Sequence, residues 1–146
     1  MIAIGIDPGK GGGIAVLFDS GVACGYPMPT TERDVCDILS EFDETIRAQP
    51  VAARIERVAS SPQMGVVSAF TFGRGYGGLL MALTALRIPF EEVLPRTWQK
   101  ELGCLTGGDK NVSKRRAQQL FPALKVTHAI ADALLIAEFC RRTHNG

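Results

Sequence analysis

The chain has 146 residues, 46% of them hydrophobic and 21% charged, which fits one globular domain over residues 1–146 and is too apolar for a disordered chain. A chain of ~150 residues buries roughly 68–70% of its unfolded surface, enough for a core without staples and too little for two-lobed enzyme architectures. The net charge of +1 hides a split: residues 1–73 carry 5 Lys/Arg against 9 Asp/Glu and residues 74–146 carry 11 against 6, the pattern of an acidic site bordered by a basic surface for a polyanion.

Uninterrupted apolar runs such as residues 133–137 fall far short of the ~20 residues that cross a bilayer, and Asp7 arrives before a signal-peptide core could form. A soluble, untargeted, cytoplasmic protein without membrane partners is therefore expected. Cys24, Cys36, Cys104 and Cys140 show neither CxxC pairing nor histidine spacing, so buried thiols in a reducing compartment are expected rather than zinc or disulfides.

Ile2, Ile4 and Ile6 alternate with Ala3, Gly5 and Asp7, the period-two pattern of a strand with one well-filled face and Asp7 at its end. The turn Pro8-Gly9-Lys10-Gly11-Gly12-Gly13 leads to a second strand over residues 14–19, and Ser20-Gly21 leads to a third over 22–26, predicting an antiparallel meander. Thr31 caps a helix carrying Val35, Ile38, Leu39, Phe42 and Ile46 at helical spacing as far as Pro50. Residues 52–59 read as a strand with Glu56 at its middle. A helix-like run to Leu86 follows, interrupted by Gly73, Gly75, Gly77 and Gly78, and then a short strand over 90–94. A short helix around 98–102, a polar glycine loop at 106–109, a basic helix at 112–121 and a final helix from about His128 to Arg142 complete an α/β chain.

Three carboxylates stand out. Asp7 precedes a glycine loop whose bare amides could approach an anion closely, although turn formation alone also explains it. Glu56 sits in a strand that disfavours Glu unless it is solvated, paired with Arg54 or Arg57, or used. In HAIADALLIAEF, Asp132 is the odd residue of a helix apolar nearly all round and needs a cation, a metal or a capping role. His128, four residues earlier, projects from the same face at a usable metal-ligand spacing, or else simply starts the helix. Oxygen-rich ligation by Asp7, Glu56 and Asp132 selects magnesium first and manganese second, with His128 shifting tolerance toward manganese.

IGIDPG at the start, the isolated Glu of IERV and the terminal HAIADALLIAEF together resemble the RuvC-type Holliday-junction resolvases of the RNase H-like superfamily. The resemblance spans the chain, and SPQMGVVSAFTFGRGYGGL, LPRTWQKELG and GGDKNVSKRRAQQLFP look most like its small bacteriophage-encoded branch. It implies an RNase H-like fold with a mixed five-stranded sheet in the order 3-2-1-4-5 flanked by helices. It also implies a homodimer and symmetric nicking of four-way DNA junctions with about two Mg2+ or Mn2+ ions per site and no nucleotide cofactor.

Residue by residue, Asp7, Glu56 and Asp132 match the acidic ligands. The fourth ligand commonly stands three residues before the last aspartate, at Ala129 here, whereas His128 stands four before. Lys110 and Lys114 match basic residues near the scissile phosphate, and Arg115 and Arg116 extend that surface, the alternative being a solvated helix face. Phe72, Arg74 and Tyr76 look like the segment that faces the junction, with core packing as the competitor for Phe72.

Three other readings remain open at this level. An actin-like or sugar-kinase ATPase shares the early Asp and glycine turn but needs two lobes. A related RuvC-like nuclease would act on RNA in ribosomal RNA processing. A junction-binding module without catalysis would leave carboxylates facing phosphate with no cation between them.

Overall fold

The structure, a computed structural model, describes residues 1–43 and 45–144. Its elements run β1 (Ile2–Asp7), β2 (Gly13–Leu17), β3 (Ala23–Pro27), α1 (Glu32–Ser40), β4 (Val51–Glu56), α2 (Val66–Ala85), β5 (Phe90–Val93), α3 (Pro95–Glu101), α4 (Lys110–Leu120) and α5 (His128–Thr143). The five strands form one sheet in the order β3-β2-β1-β4-β5, as the resemblance implies. β1 pairs antiparallel with β2, and β2 with β3, closing the meander. The β1–β4 and β4–β5 pairs are parallel, so the strand direction switches at β1.

Helices cover both faces. Ile2, Ile4 and Ile6 of β1 join Ile14, Val16, Ala53 and Ile55 in a core shared with Val35 and Leu39 of α1 and Leu79 and Leu83 of α2. The opposite face of β1 carries Ala3, Gly5 and, at the strand end, Asp7, and Ala3 and Gly5 are buried beneath α5. The small side chains there set how close that helix can come. A β-carbon on Gly5 would lie 2.1 Å from the Ala133 carbonyl oxygen and 2.2 Å from the Ala137 nitrogen, and one on Gly13 would lie 2.5 Å from the Ala129 carbonyl. One on Gly25 would meet the Ile130 side chain at 2.8 Å. Gly5, Gly13 and Gly25 sit on three adjacent strands, so α5 crosses the sheet on a track from which side chains are missing. Ten of its sixteen residues are buried.

Several elements differ from expectation, α1, β4, α2 and α4 among them. α1 stops at Ser40 rather than continuing past Ile46, which is 70% exposed. Asp43 Oδ1 accepts the Thr45 amide at 2.8 Å and its hydroxyl at 2.7 Å, a local turn that competes with helix. β4 ends at Glu56 rather than Ala59, so Glu56 is its last residue and not its middle. Its partner β5 is only four residues long, the register closes on Glu56 and Val93, and Pro95 then starts α3 at the favoured first helical position.

The glycines do not interrupt α2, which runs unbroken for 20 residues. Gly73, Gly75 and Gly77 look onto open space, while Leu79 and Leu83 anchor the helix to the core. Counting only uninterrupted apolar runs missed this element: by length and composition α2 is long and apolar enough to cross a membrane, although Arg74 sits within it. α4 begins at Lys110, earlier than expected, because Asp109 caps it by accepting the Asn111 amide at 2.9 Å.

Candidate active site

The parallel register of β1 and β4 builds the first half of the site. Ile6 lies beside Ile55, so the next residues, Asp7 and Glu56, end adjacent strands side by side. Because Ile6 and Ile55 point into the α1–α2 core, strand alternation turns Asp7 and Glu56 to the other face, toward α5. That is the carboxyl end of an open α/β sheet at its switch of strand direction, where ligands of such sheets bind. The seating of α5 on Gly5 and Gly13 brings its opening turns to the same place, and with them Asp132.

The electrostatics record the convergence. Burial raises the Asp7 carboxyl, and the charges of Glu56 and Asp132 raise it further, to about 8 against the pull of nearby Lys110. Burial also raises Glu56, with Asp132 adding to it, while a hydrogen bond from Trp98 opposes the rise. Asp132 is raised by burial and eased by the charges of Lys110 and His128. The buried Ser113 hydroxyl has one proton to give, and it is directed to the Lys110 carbonyl at 3.1 Å. Asp132 Oδ1 is left buried without a hydrogen-bond partner.

These residues suit a hard divalent cation, since all three raised groups are carboxylates and one oxygen is orphaned in the interior. They do not form a ready-made chelate: among the described residues no three His, Cys, Asp or Glu side chains stand grouped tightly enough to hold a metal ion as they lie. His128 is the first residue of α5, exposed, and near enough for its charge to be felt at Asp132.

The glycine loop packs closely on Asp7. A β-carbon on Gly12 would lie 2.0 Å from the Asp7 carbonyl oxygen, and the Gly12 amide is committed to the Gly9 carbonyl at 3.0 Å. Gly9 has φ +103°, and the ring of Phe72 reaches within 2.9 Å of where its β-carbon would be. Phe72 is thus half-buried against the loop beside Asp7, while the ring of Phe70, near the start of α2, is 73% exposed.

The remaining sequence candidates divide. Lys110 stands by Asp7 and Asp132, with half-buried Lys114 one turn further along α4 and Arg115 exposed. Arg116 is turned inward, donating to the Leu102 carbonyl at 2.9 Å. Arg74 pairs with Glu32 at 3.0 Å on the surface. The Tyr76 ring packs on the α1–α2 core and its hydroxyl donates to the Glu92 carboxylate, which makes it a tie between α2 and β5. Arg54 pairs with Glu91 at 3.1 Å and leaves Glu56 to another partner. That partner is Trp98, whose indole Nε1–H donates to Glu56 Oε2 at 2.8 Å. Trp98 carries no functional role in the sequence reading, where it only opens a short helix in the polar stretch of residues 95–101; its closeness to the end of the strand paired with Glu56 was the available signal.

Comparison with solved structures decides the fold. The Thermus thermophilus RuvC in complex with a Holliday junction substrate superposes with a TM-score of 0.64 at 20% identity, over 97% of this chain and 95% of that one. The fold is that of RuvC. A second Thermus thermophilus RuvC structure gives the same TM-score of 0.64 at 19% identity, covering 99% of this chain and 97% of that one. No family model and no curated protein matches the sequence.

Proposed function

We propose that this chain is a metal-dependent endonuclease that nicks four-way and related branched DNA junctions in symmetric pairs. The observation that carries the reading is the convergence of Asp7, Glu56 and Asp132 at the carboxyl end of the sheet, in a RuvC fold. Asp7, Glu56 and Asp132 would hold the cations, with His128 at the rim. When bound, a pair of Mg2+ or Mn2+ ions supplies the charge stabilisation and water activation that phosphodiester hydrolysis needs.

The chain's own residues do the rest. Lys110 offers positive charge beside the acids, where negative charge grows on the phosphate. Lys114 and Arg115 continue that charge along α4 and give the DNA backbone a place to lie. The ring of Phe72, beside Asp7, and that of Phe70 on the same helix are available to stack on a base unpaired at a branch point.

Paired nicks across a two-fold junction require two acidic clusters, so the working form is a homodimer. α2 supports this, since Val66, Val67, Phe70 and Met81 are 87%, 79%, 73% and 65% exposed along a helix otherwise anchored to the core. An apolar helix face of that kind is better explained as an interface than as solvated surface. The middle motif fits the bacteriophage-encoded branch, which would act in the cytoplasm of a bacterial host.

The test is incubation with labelled four-way DNA, linear duplex and single-stranded RNA in magnesium, in manganese and in chelator, with sedimentation of the protein alone. Preferential junction cleavage that needs metal, by a dimer at micromolar concentration, is the expected result. Cleavage confined to RNA, or a monomer with and without junction, would overturn it.

A further inference from the structure

The Trp98–Glu56 hydrogen bond joins a wholly buried indole to a carboxylate of the active-site end of the sheet. Glu56 is the last residue of β4, and its side chain has three rotatable bonds to be fixed. Trp98 is the opposite kind of group: a rigid ring, a donor that cannot accept, and fixed in place. It packs in the core with Leu102, Cys104 and Leu134, on a helix, α3, that starts with Pro95.

We infer that Trp98 is a positioning residue, whose indole N–H holds Glu56 Oε2 so that Oε1 remains free to face the space shared with Asp7 and Asp132. The inference rests on the metal-dependent reading given above and assigns within it a residue that touches neither substrate nor metal. Its physical basis is general: a ligand carboxylate whose second oxygen is already bonded enters the site in one orientation, and loss of such an outer partner typically costs about 10–100-fold in metal affinity or activity. A tryptophan that merely fills the core has no such consequence, provided its shape is kept.

The experiment compares the full-length wild type with Trp98→Phe and with a chain carrying 3-benzothienylalanine at position 98, which keeps the shape of the indole and replaces only its N–H by sulfur. Mg2+ binding is measured by calorimetry, junction cleavage across a Mg2+ titration, and folding by thermal melt. The sulfur isostere should melt like wild type yet bind Mg2+ about 10–100-fold more weakly, with cleavage recovering at high Mg2+. Trp98 is also the chain's only tryptophan, so its fluorescence reports on the surroundings of this indole alone. Mg2+ should shift its emission in the wild type and not in Glu56→Ala, which removes the acceptor.

An isostere that binds Mg2+ within twofold of a wild type that itself binds and cleaves would overturn the positioning role and leave the nuclease reading standing. An emission shift that persists in Glu56→Ala, which has no acceptor for the indole, would do the same. A wild type that neither binds Mg2+ nor cleaves junctions would overturn the nuclease reading, and the inference with it.

Discussion

Ala133 rests its backbone carbonyl 2.1 Å from the point that a β-carbon of Gly5 would occupy. This close approach seats α5 on β1, and α5 carries Asp132 to Asp7. The obstacle is backbone and has no rotamer by which to move aside. Gly5→Ala should therefore destabilise the fold by about 3 kcal/mol, the upper part of the range for overpacking. It should also impair catalysis more than the stability loss explains, because Asp132 moves with the helix. Urea unfolding and single-turnover cleavage measure the two. A neutral Gly5→Ala would mean that α5 is not seated as described.

The carboxylate cluster sets the pH dependence of the metal-free protein. Asp7 titrates near 8 in the fold, chiefly through burial and then through Glu56 and Asp132, against 3.8 ordinarily. A carboxyl raised by folding favours the folded state when protonated, so its contribution is full below about pH 4 and is lost as pH rises toward 8. In chelator, the melting temperature should fall between pH 5 and pH 8.5. Asp7→Asn should remove part of that fall and be more stable than wild type at pH 8 by at least about 1 kcal/mol, roughly 3 °C. Mg2+ should restore wild-type stability at the same pH. An asparagine variant less stable than wild type in chelator at pH 8 would contradict the account.

Much of this architecture is legible in the sequence, because hydrophobic alternation, glycine turns and helical spacing are local signals. Asp7 could be set at a strand end from its own neighbours. Glu56 could not, since the length of β4 depends on β5, a strand more than thirty residues away in the chain. The track of Gly5, Gly13 and Gly25 is equally invisible locally: each reads as a turn or a small-side-chain position, and only the strand register lines them up beneath α5. Tyr76 and Arg116 look like surface groups in a motif, but Glu92 and the Leu102 carbonyl, both distant in sequence, engage them. The end of α1 went unseen because Asp43 makes a side-chain turn that apolar spacing does not encode.

DNA affinity should come from local charge, since the net charge is only +1. Phosphate contacts carry little sequence information, so junctions of unrelated sequence should bind alike, with log affinity falling linearly with log salt. The double substitution Lys114→Ala with Arg115→Ala should flatten that slope by roughly one unit for each phosphate no longer engaged, about two per protomer. Arg116→Ala should change the slope less, because its guanidinium is engaged at Leu102. A salt titration of junction binding in calcium provides the values, and an unchanged slope in the double variant would move the DNA surface off α4.

The central claim is that Asp7, Glu56 and Asp132 form one cation-dependent hydrolytic site. Its most direct measurement is cleavage of an end-labelled four-way junction in magnesium by wild type and by Asp7→Asn, Glu56→Gln and Asp132→Asn, with junction binding followed in parallel. Each substitution keeps the size of the side chain and removes the charge that would hold a cation. The account predicts paired nicks at symmetric positions from the wild type, loss of cleavage by at least about 100-fold in every variant, and junction binding within a few-fold of wild type. Near-normal turnover in any one of the three variants, or wild-type cleavage that persists in chelator, would contradict it.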